Sequence, residues 1–203
     1  MAFEGDFFWE AHWKKIVAAL VAVVIAILAA GMWAYLRASK SAAAASLYAS
    51  AASVGQWRAV AEQYPGSVAA GNAQLRIAAA MRDEGKADEA VSVLDQFTSA
   101  QPDHPLAGAA WLMVGEIRQS KGDSVAALAA YREASGRYRD SYAAPLALLA
   151  EARLLAAEGK SGESRAVLES VGPSYPGGPA AMMAAAELGA ASGQPPTDTQ
   201  TAP

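Results

Sequence analysis

The sequence contains no cysteine, which excludes a disulfide framework, a thiolate metal site and a lipid-modified N-terminal cysteine. That absence leaves the compartment open. An excess of basic charge is also missing: 16 Lys and Arg face 20 Asp and Glu, for a formal net charge of −4. A nucleic-acid partner wants a basic face, so none is expected. Histidines number only two, His12 in an aromatic segment and His104 in a Pro-Asp-His-Pro turn, so no pair can share a helix face. H-E-x-x-H, G-x-S-x-G and G-x-x-x-x-G-K are all absent, and with them the zinc-protease helix, the nucleophile elbow and the phosphate cradle. Asp83, Glu84, Asp88 and Glu89 form the densest acidic group, and carboxylates so placed read as solvated surface. No catalytic residue, metal, cofactor or small-molecule substrate is therefore expected, and the chain reads as a non-enzyme.

Aromatics are sparse at 8%, whereas hydrophobic residues reach 53%, with a heavy share of alanine. Alanine is the best helix former and lets helices approach closely. β-Branched residues are few outside one segment. An all-α fold is expected.

That segment, Ile16–Leu36, runs for 21 residues without a charge. At 1.5 Å per residue it spans about 30 Å, the thickness of a bilayer's hydrocarbon core. Lys14 and Lys15 bound one end, Arg37 and Lys40 the other. Phe7, Phe8, Trp9 and Trp13 precede it, and Trp33 and Tyr35 stand near its end, where rings prefer the headgroup level. Ala42 and Ala44 imitate a signal-peptidase site, but a cleaved signal has a shorter core of roughly 7–15 residues. A single transmembrane helix over residues 16–37 is the expectation. The basic residues are balanced about it, so charge does not set the orientation. A short tail over residues 1–15 followed by a large domain suits a signal anchor with the C-terminal domain exported.

After the span the sequence keeps a beat. Tyr64-Pro65-Gly66-Ser67, Gln101-Pro102-Asp103-His104, Tyr138-Arg139-Asp140-Ser141 and Tyr175-Pro176-Gly177-Gly178 begin 37 residues apart. Glu84-Gly85-Lys86, Lys121-Gly122-Asp123 and Glu158-Gly159-Lys160 keep the same interval, as do alanines 73, 110, 147 and 184. A period of 20–50 residues signals a stacked array. Gly85, Gly122 and Gly159 are placed to end one helix with positive φ, and Asp88, Ser124 and Ser161 stand where caps are needed. Pro65, Pro102 and Pro176 close the second helix of a unit. Each unit is thus helix, glycine turn, helix, proline turn. Each leaves an apolar face for the next to cover, so the units stack into a solenoid.

Ser46–Tyr64 reads as a truncated first unit with Val54-Gly55 as its turn, joined without a break to the membrane helix through Ala42–Ala45. Pro179–Ala191 reads as a last covering helix, which closes a repeat domain over residues 38–191. Residues 192–203, polar and proline-rich, are expected to be disordered.

These units resemble tetratricopeptide repeats, whose pattern is W-x2-L-G-x2-Y, then Ala, an aromatic, Ala and Pro. Trp111, Val114, Gly115, Gly122, Ala127, Tyr131 and Ala134 supply it in the third unit. The second unit offers Ala78, Gly85, Ala90, Leu94, Phe97 and Pro102; the fourth offers Ala152, Gly159, Leu168, Val171 and Pro176. Arg118, Glu151 and Arg139 stand where the family usually has Tyr, Leu and Pro, and the period exceeds the usual 34. The resemblance implies a partner groove along the first helices, at Asn72, Leu75, Ala79, Arg82 and Asp83, then Ala109, Leu112, Glu116, Gln119 and Ser120, then Leu146, Leu149, Arg153, Ala156 and Ala157. Leu75, Leu112 and Leu149 recur on the beat and could equally serve the packing between helices. Tail, anchor and repeats together resemble the bacterial membrane-anchored group of the YfgM type. That implies a periplasmic scaffold at the inner membrane whose partners are translocon subunits or periplasmic chaperones. A structural subunit docked to other membrane-complex subunits, or an envelope and outer-membrane assembly factor, are the alternatives.

Overall fold

The computed structural model describes residues 5–191, except for the side chains of residues 5–12 and Ile16. The expected tail over residues 192–203 and the side chains of the border residues Phe7, Phe8, Trp9 and His12 lie outside the described portion. The described residues form helices α1 (Gly5–Ser50), α2 (Val54–Gln63), α3 (Val68–Asp83), α4 (Ala87–Ala100), α5 (Ala107–Ser120), α6 (Ser124–Arg137), α7 (Ala143–Ala157), α8 (Ser161–Ser174) and α9 (Pro179–Ala191), and no strand. The all-α solenoid expected from the beat is what forms. Each helix packs on its neighbours in the chain, and α1 also meets α3, α5 meets α7, and α7 meets α9. First helices thus form an inner layer, while α4, α6 and α8 fan outside it.

The repeated glycine turns have one geometry. Gly85, Gly122 and Gly159 adopt φ of 78°, 79° and 78°. The following amides close the helix end: Lys86 N–H donates to Met81 O at 2.8 Å, Asp123 N–H to Arg118 O at 3.0 Å, and Lys160 N–H to Leu155 O at 2.9 Å. This six-residue closure satisfies carbonyls that the ended helix leaves free. The caps fall earlier than the sequence suggested. Asp123 caps α6 by accepting from Ala126 N–H at 3.1 Å, while Ser124 and Ser161 are the first residues of their helices. Asp88 sits in the first turn of α4 and pairs with Lys121 across the units.

The first turn also differs. Val54 and Gly55 open α2, and the chain reverses at 51–53. Ser53 Oγ accepts from Gln56 N–H at 3.4 Å, and Gln56 Oε1 accepts from Ala52 N–H at 2.7 Å. Gln56 thus reaches back one residue beyond the N-cap, in a variant of the capping box, and the pair fixes the helix start before the glycine.

The core is a chain of local clusters. Ala44 of α1 packs with Val60, Ala69 and Ala73; Leu94, Phe97 and Ile117 join α4 to α5; Tyr131 and Leu155 join α6 to α7; Leu168 and Val171 meet Ala180 and Ala184 of α9. Each fully buried large side chain contributes about 1.5–3 kcal/mol. Two glycines permit the closest approaches. A Cβ on Gly115 would lie 2.3 Å from Tyr131 Cε1, and one on Gly71 would lie 2.4 Å from His104 Cε1. Glu151, the departure from a usual Leu, is 5% exposed and accepts from Arg132 Nε at 2.6 Å, so an ion pair ties α6 to α7.

The helix α1 is continuous for 46 residues, about 69 Å at 1.5 Å per residue. Its apolar run is exposed along its length, with Leu28 at 67% and Ile27 at 64%, whereas Ala44 is wholly buried. Among the described residues it is the one helix long and apolar enough to cross a membrane.

Gly115→Ala should lower stability by about 1–3 kcal/mol through its collision with Tyr131. Gly55→Ala, with nothing within 4 Å of its Cβ, should stabilise by about 0.5–1 kcal/mol. Urea midpoints of the two variants check both signs. Arg132→Ala strands a buried carboxylate and should cost about 2 kcal/mol. Glu151→Leu leaves the half-exposed Arg132 free to hydrate and should cost less than half of that. Equal losses would show that the pair, not the orphaned charge, sets the cost.

Candidate partner-binding groove

The inner layer presents the family-implied positions on α3, α5 and α7, but their burial divides them. Leu75 and Leu112 are half-buried and pack against the clusters that join α4 to α5 and α6 to α7. Leu149 is 1% exposed and packs with Ala152, Leu168 and Val171, so its role here is cohesion. A partner reaching α7 would meet Leu146, which is 41% exposed. Arg82 is half-buried, and Glu116, Gln119 and Arg153 are exposed.

These polar side chains are held by their neighbours. Arg82 pairs with Asp83 at 3.1 Å. Tyr131 of α6 donates its hydroxyl proton to Gln119 Oε1 at 2.6 Å, since the ring passes over Gly115 to reach α5. Burial is the main reason that the Tyr131 phenol is pushed up to about 12, with the charge of Glu116 adding to it. Glu116 itself is open at one edge, yet packing around its carboxyl pushes it above the ordinary carboxylate range, and Arg82 opposes that shift. Arg153 donates from Nε and an Nη to one oxygen of Glu187, at 2.9 and 2.6 Å, and so reaches from α7 to α9. The result is a face with alternating charge, Arg82, Glu116 and Arg153, above half-buried leucines. Such a face suits a polypeptide segment of mixed character. Among the described residues no three His, Asp or Glu side chains are grouped to hold a metal ion.

Asn72 lies apart from these residues, at the rim of a cavity bounded by α1 and by the turn between α2 and α3. Sequence reasoning did not find that cavity, because its walls come from segments about thirty residues apart. Arg118 and Arg139, the other departures from the repeat pattern, serve the joints. Arg118 is half-buried near Asp88 and Asp95, and the Arg139 carbonyl accepts from Tyr175 Oη at 3.0 Å. His104 makes a similar link two units earlier: it is 7% exposed, with Nε2 3.1 Å from Ser67 O and Nδ1 accepting from Leu106 N–H.

Comparison with known proteins agrees with this architecture. A family model described as tetratricopeptide repeat-like domain matches residues 7–176. No curated protein matches the sequence. Among solved structures, a Podosopora anserina protein assigned as a kinesin light chain with nearly identical TPR-like repeats is similar in two forms. One, a point variant, has a TM-score of 0.50 at 18% identity, covering 75% of this chain and 83% of its own. The other has 0.49 at 19% identity, with the same coverage. At 18% identity the likeness to the first is one of fold.

Tyr131 should titrate at about 12, well above the ordinary 10.0, in a spectrophotometric titration referenced to Tyr131→Phe. The fold favours the neutral phenol, so this group's contribution to stability is complete below pH 10 and is lost as pH rises toward 12. Stability of Tyr131→Phe should accordingly fall less steeply over that window. A Tyr131 that ionises with the exposed tyrosines would refute its burial against α5.

Proposed function

Since the chain belongs to the tetratricopeptide repeat-like domain family, we propose that it is a membrane-anchored scaffold for protein partners. Its place is the bacterial inner membrane, with the repeat array in the periplasm near the export translocon or its chaperones. One observation carries this reading: α1 is a single helix that leaves its apolar run exposed and then buries Ala44 in the first cluster of the array. The anchor and the array are one mechanical piece. The family match begins at residue 7, so the apolar run belongs to the matched domain. Export of the domain, and the translocon and chaperone partners, follow from the resemblance to membrane-anchored proteins of the YfgM type.

A fixed subunit of a larger membrane complex is the second reading. The bonds from Arg153 to Glu187 and from Tyr131 to Gln119 favour it, because they set the groove before a partner arrives. A preset surface suits one partner better than many.

Affinity capture from solubilised membranes, with protease protection on sealed vesicles, tests the proposal. The full chain should recover translocon subunits or periplasmic chaperones, and the array should resist protease added from the cytoplasmic face. Arg82→Ala with Glu116→Ala should cut recovery about fivefold or more while helicity is kept. Unchanged recovery would remove the groove from the proposal, and digestion from the cytoplasmic face would overturn the orientation. One complex at constant stoichiometry would decide for the second reading.

A further inference from the structure

The cavity between α1 and the array has a volume of about 930 Å³. Its α1 wall is a helical ladder of Trp33, Leu36, Arg37, Lys40, Ser41, Ala45 and Tyr48, and the opposite wall runs from Gln63 to Asn72. Three features of it point the same way. First, it begins on Trp33 and Leu36, inside the apolar run, and continues past the run's end, so it straddles the level at which a bilayer gives way to water. Second, its two charged side chains are Arg37 and Lys40, and no carboxylate lines it. Neither cation forms an ion pair among the described residues; Arg37 only rests over the Trp33 ring at 5.2 Å. Third, the array side brings neutral polar groups, the amides of Gln63 and Asn72 and the hydroxyl of Ser67, to face those cations. Ser67 Oγ is already engaged as an acceptor of Ala70 N–H at 3.0 Å.

Two cations facing neutral donors, with aromatic and aliphatic groups beneath, fit a phosphodiester that carries acyl chains. The phosphate would lie between Arg37 and Lys40, the glycerol against Gln63 and Asn72, and the chains along Trp33 and Leu36. Charge complementarity selects an anionic lipid over a zwitterionic one, whose ammonium would find no carboxylate. Depth selects a lipid over a soluble phosphate. We propose that this cavity binds the headgroup of an anionic phospholipid and so seats the foot of the array on the membrane. The inference rests on the membrane reading above.

The test uses the full chain, reconstituted in vesicles of phosphatidylcholine alone or with a minority of phosphatidylglycerol. Lipid retained after mild detergent extraction is counted by native mass spectrometry. Retained phosphatidylglycerol should exceed its share of the vesicle about tenfold, as two basic residues held at the surface of an anionic bilayer imply. The exchange Arg37→Lys with Lys40→Arg keeps both charges and should keep the preference. The decisive variant moves both cations around the helix: Arg37→Ser and Lys40→Ser with Ser39→Arg and Ala42→Lys. It holds the charges within about 3 Å of their original depth but turns them away from the cavity. All four positions are exposed, so the fold should survive, and circular dichroism checks it. Loss of the preference in this variant supports the cavity. Its persistence overturns the cavity and leaves only charge near a membrane. Displacement of the lipid by inorganic phosphate would overturn the lipid as occupant. A chain that fails to float with phosphatidylcholine vesicles overturns the membrane reading itself, whereas one that floats without preference overturns the cavity alone.

Discussion

A pair of helices in this chain cannot bury its own apolar surface, and the rest of the structure depends on that. Leu94 and Phe97 of α4 are covered because Leu106, Val114 and Ile117 arrive from the next unit. Tyr131 of α6 is covered by Leu154 and Leu155 of α7 in the same way. The debt passes along the array until α9 meets Leu168 and Val171 with Ala180 and Ala184. Even there the outer side of α9 keeps Met182 at 66% exposure. At the other end the covering helix is α1, through Ala44, Leu47 and Tyr48. Local contacts of this kind make the stability of the array a sum over neighbouring units, so damage at one joint is felt chiefly there.

Small residues decide how close the joints come. Alanine at 73, 110 and 147 is wholly buried in three successive first helices, and 184 is buried in α9. Gly71 and Gly115 go further, since each accepts an aromatic ring where a methyl would stand. His104 therefore fills the space over Gly71 and meets Phe97 edge-on at 5.0 Å, which joins the second and third units through a turn instead of a helix. The longer connection over residues 101–106 is what lets a side chain enter there.

Much of this was legible beforehand because turns carry strong chemical signals. Glycine at a positive-φ helix end and proline after a helix are needed wherever they fall, so a stacked array prints its period in the sequence. Other features depend on distance. Ser53 and Gln56 form a cap that was readable as a local pattern, yet Gly55 beside them drew the turn assignment two residues too late. Glu151 departs from the repeat pattern because its partner, Arg132, lies in the preceding helix, 19 residues away. Leucines on the beat could be groove or core on periodicity alone; burial separates Leu149 from Leu112 only once the units are stacked. The cavity beside α1 was beyond sequence reasoning, because nothing local links Arg37 to Asn72.

The register of α1 has a consequence for the whole molecule. Trp33, Arg37, Lys40, Ala44 and Tyr48 share one helical face at spacings of three and four residues. The upper part of that face is fixed against α2 and α3, where Tyr48 Oη lies 3.4 Å from Arg76 Nε. Because the helix does not break, fixing its upper part also fixes which side of its lower part points toward the array. Rotation of α1 by one residue would turn the helix by about 100° and carry Ala44 out of its cluster. The direction in which the array faces is therefore set relative to the apolar run of α1 by packing, because the helix is continuous between them. A short insertion in Ala42–Ala45 would disturb this arrangement without touching α3, α5 or α7, which separates the pose of the array from the chemistry of its inner layer.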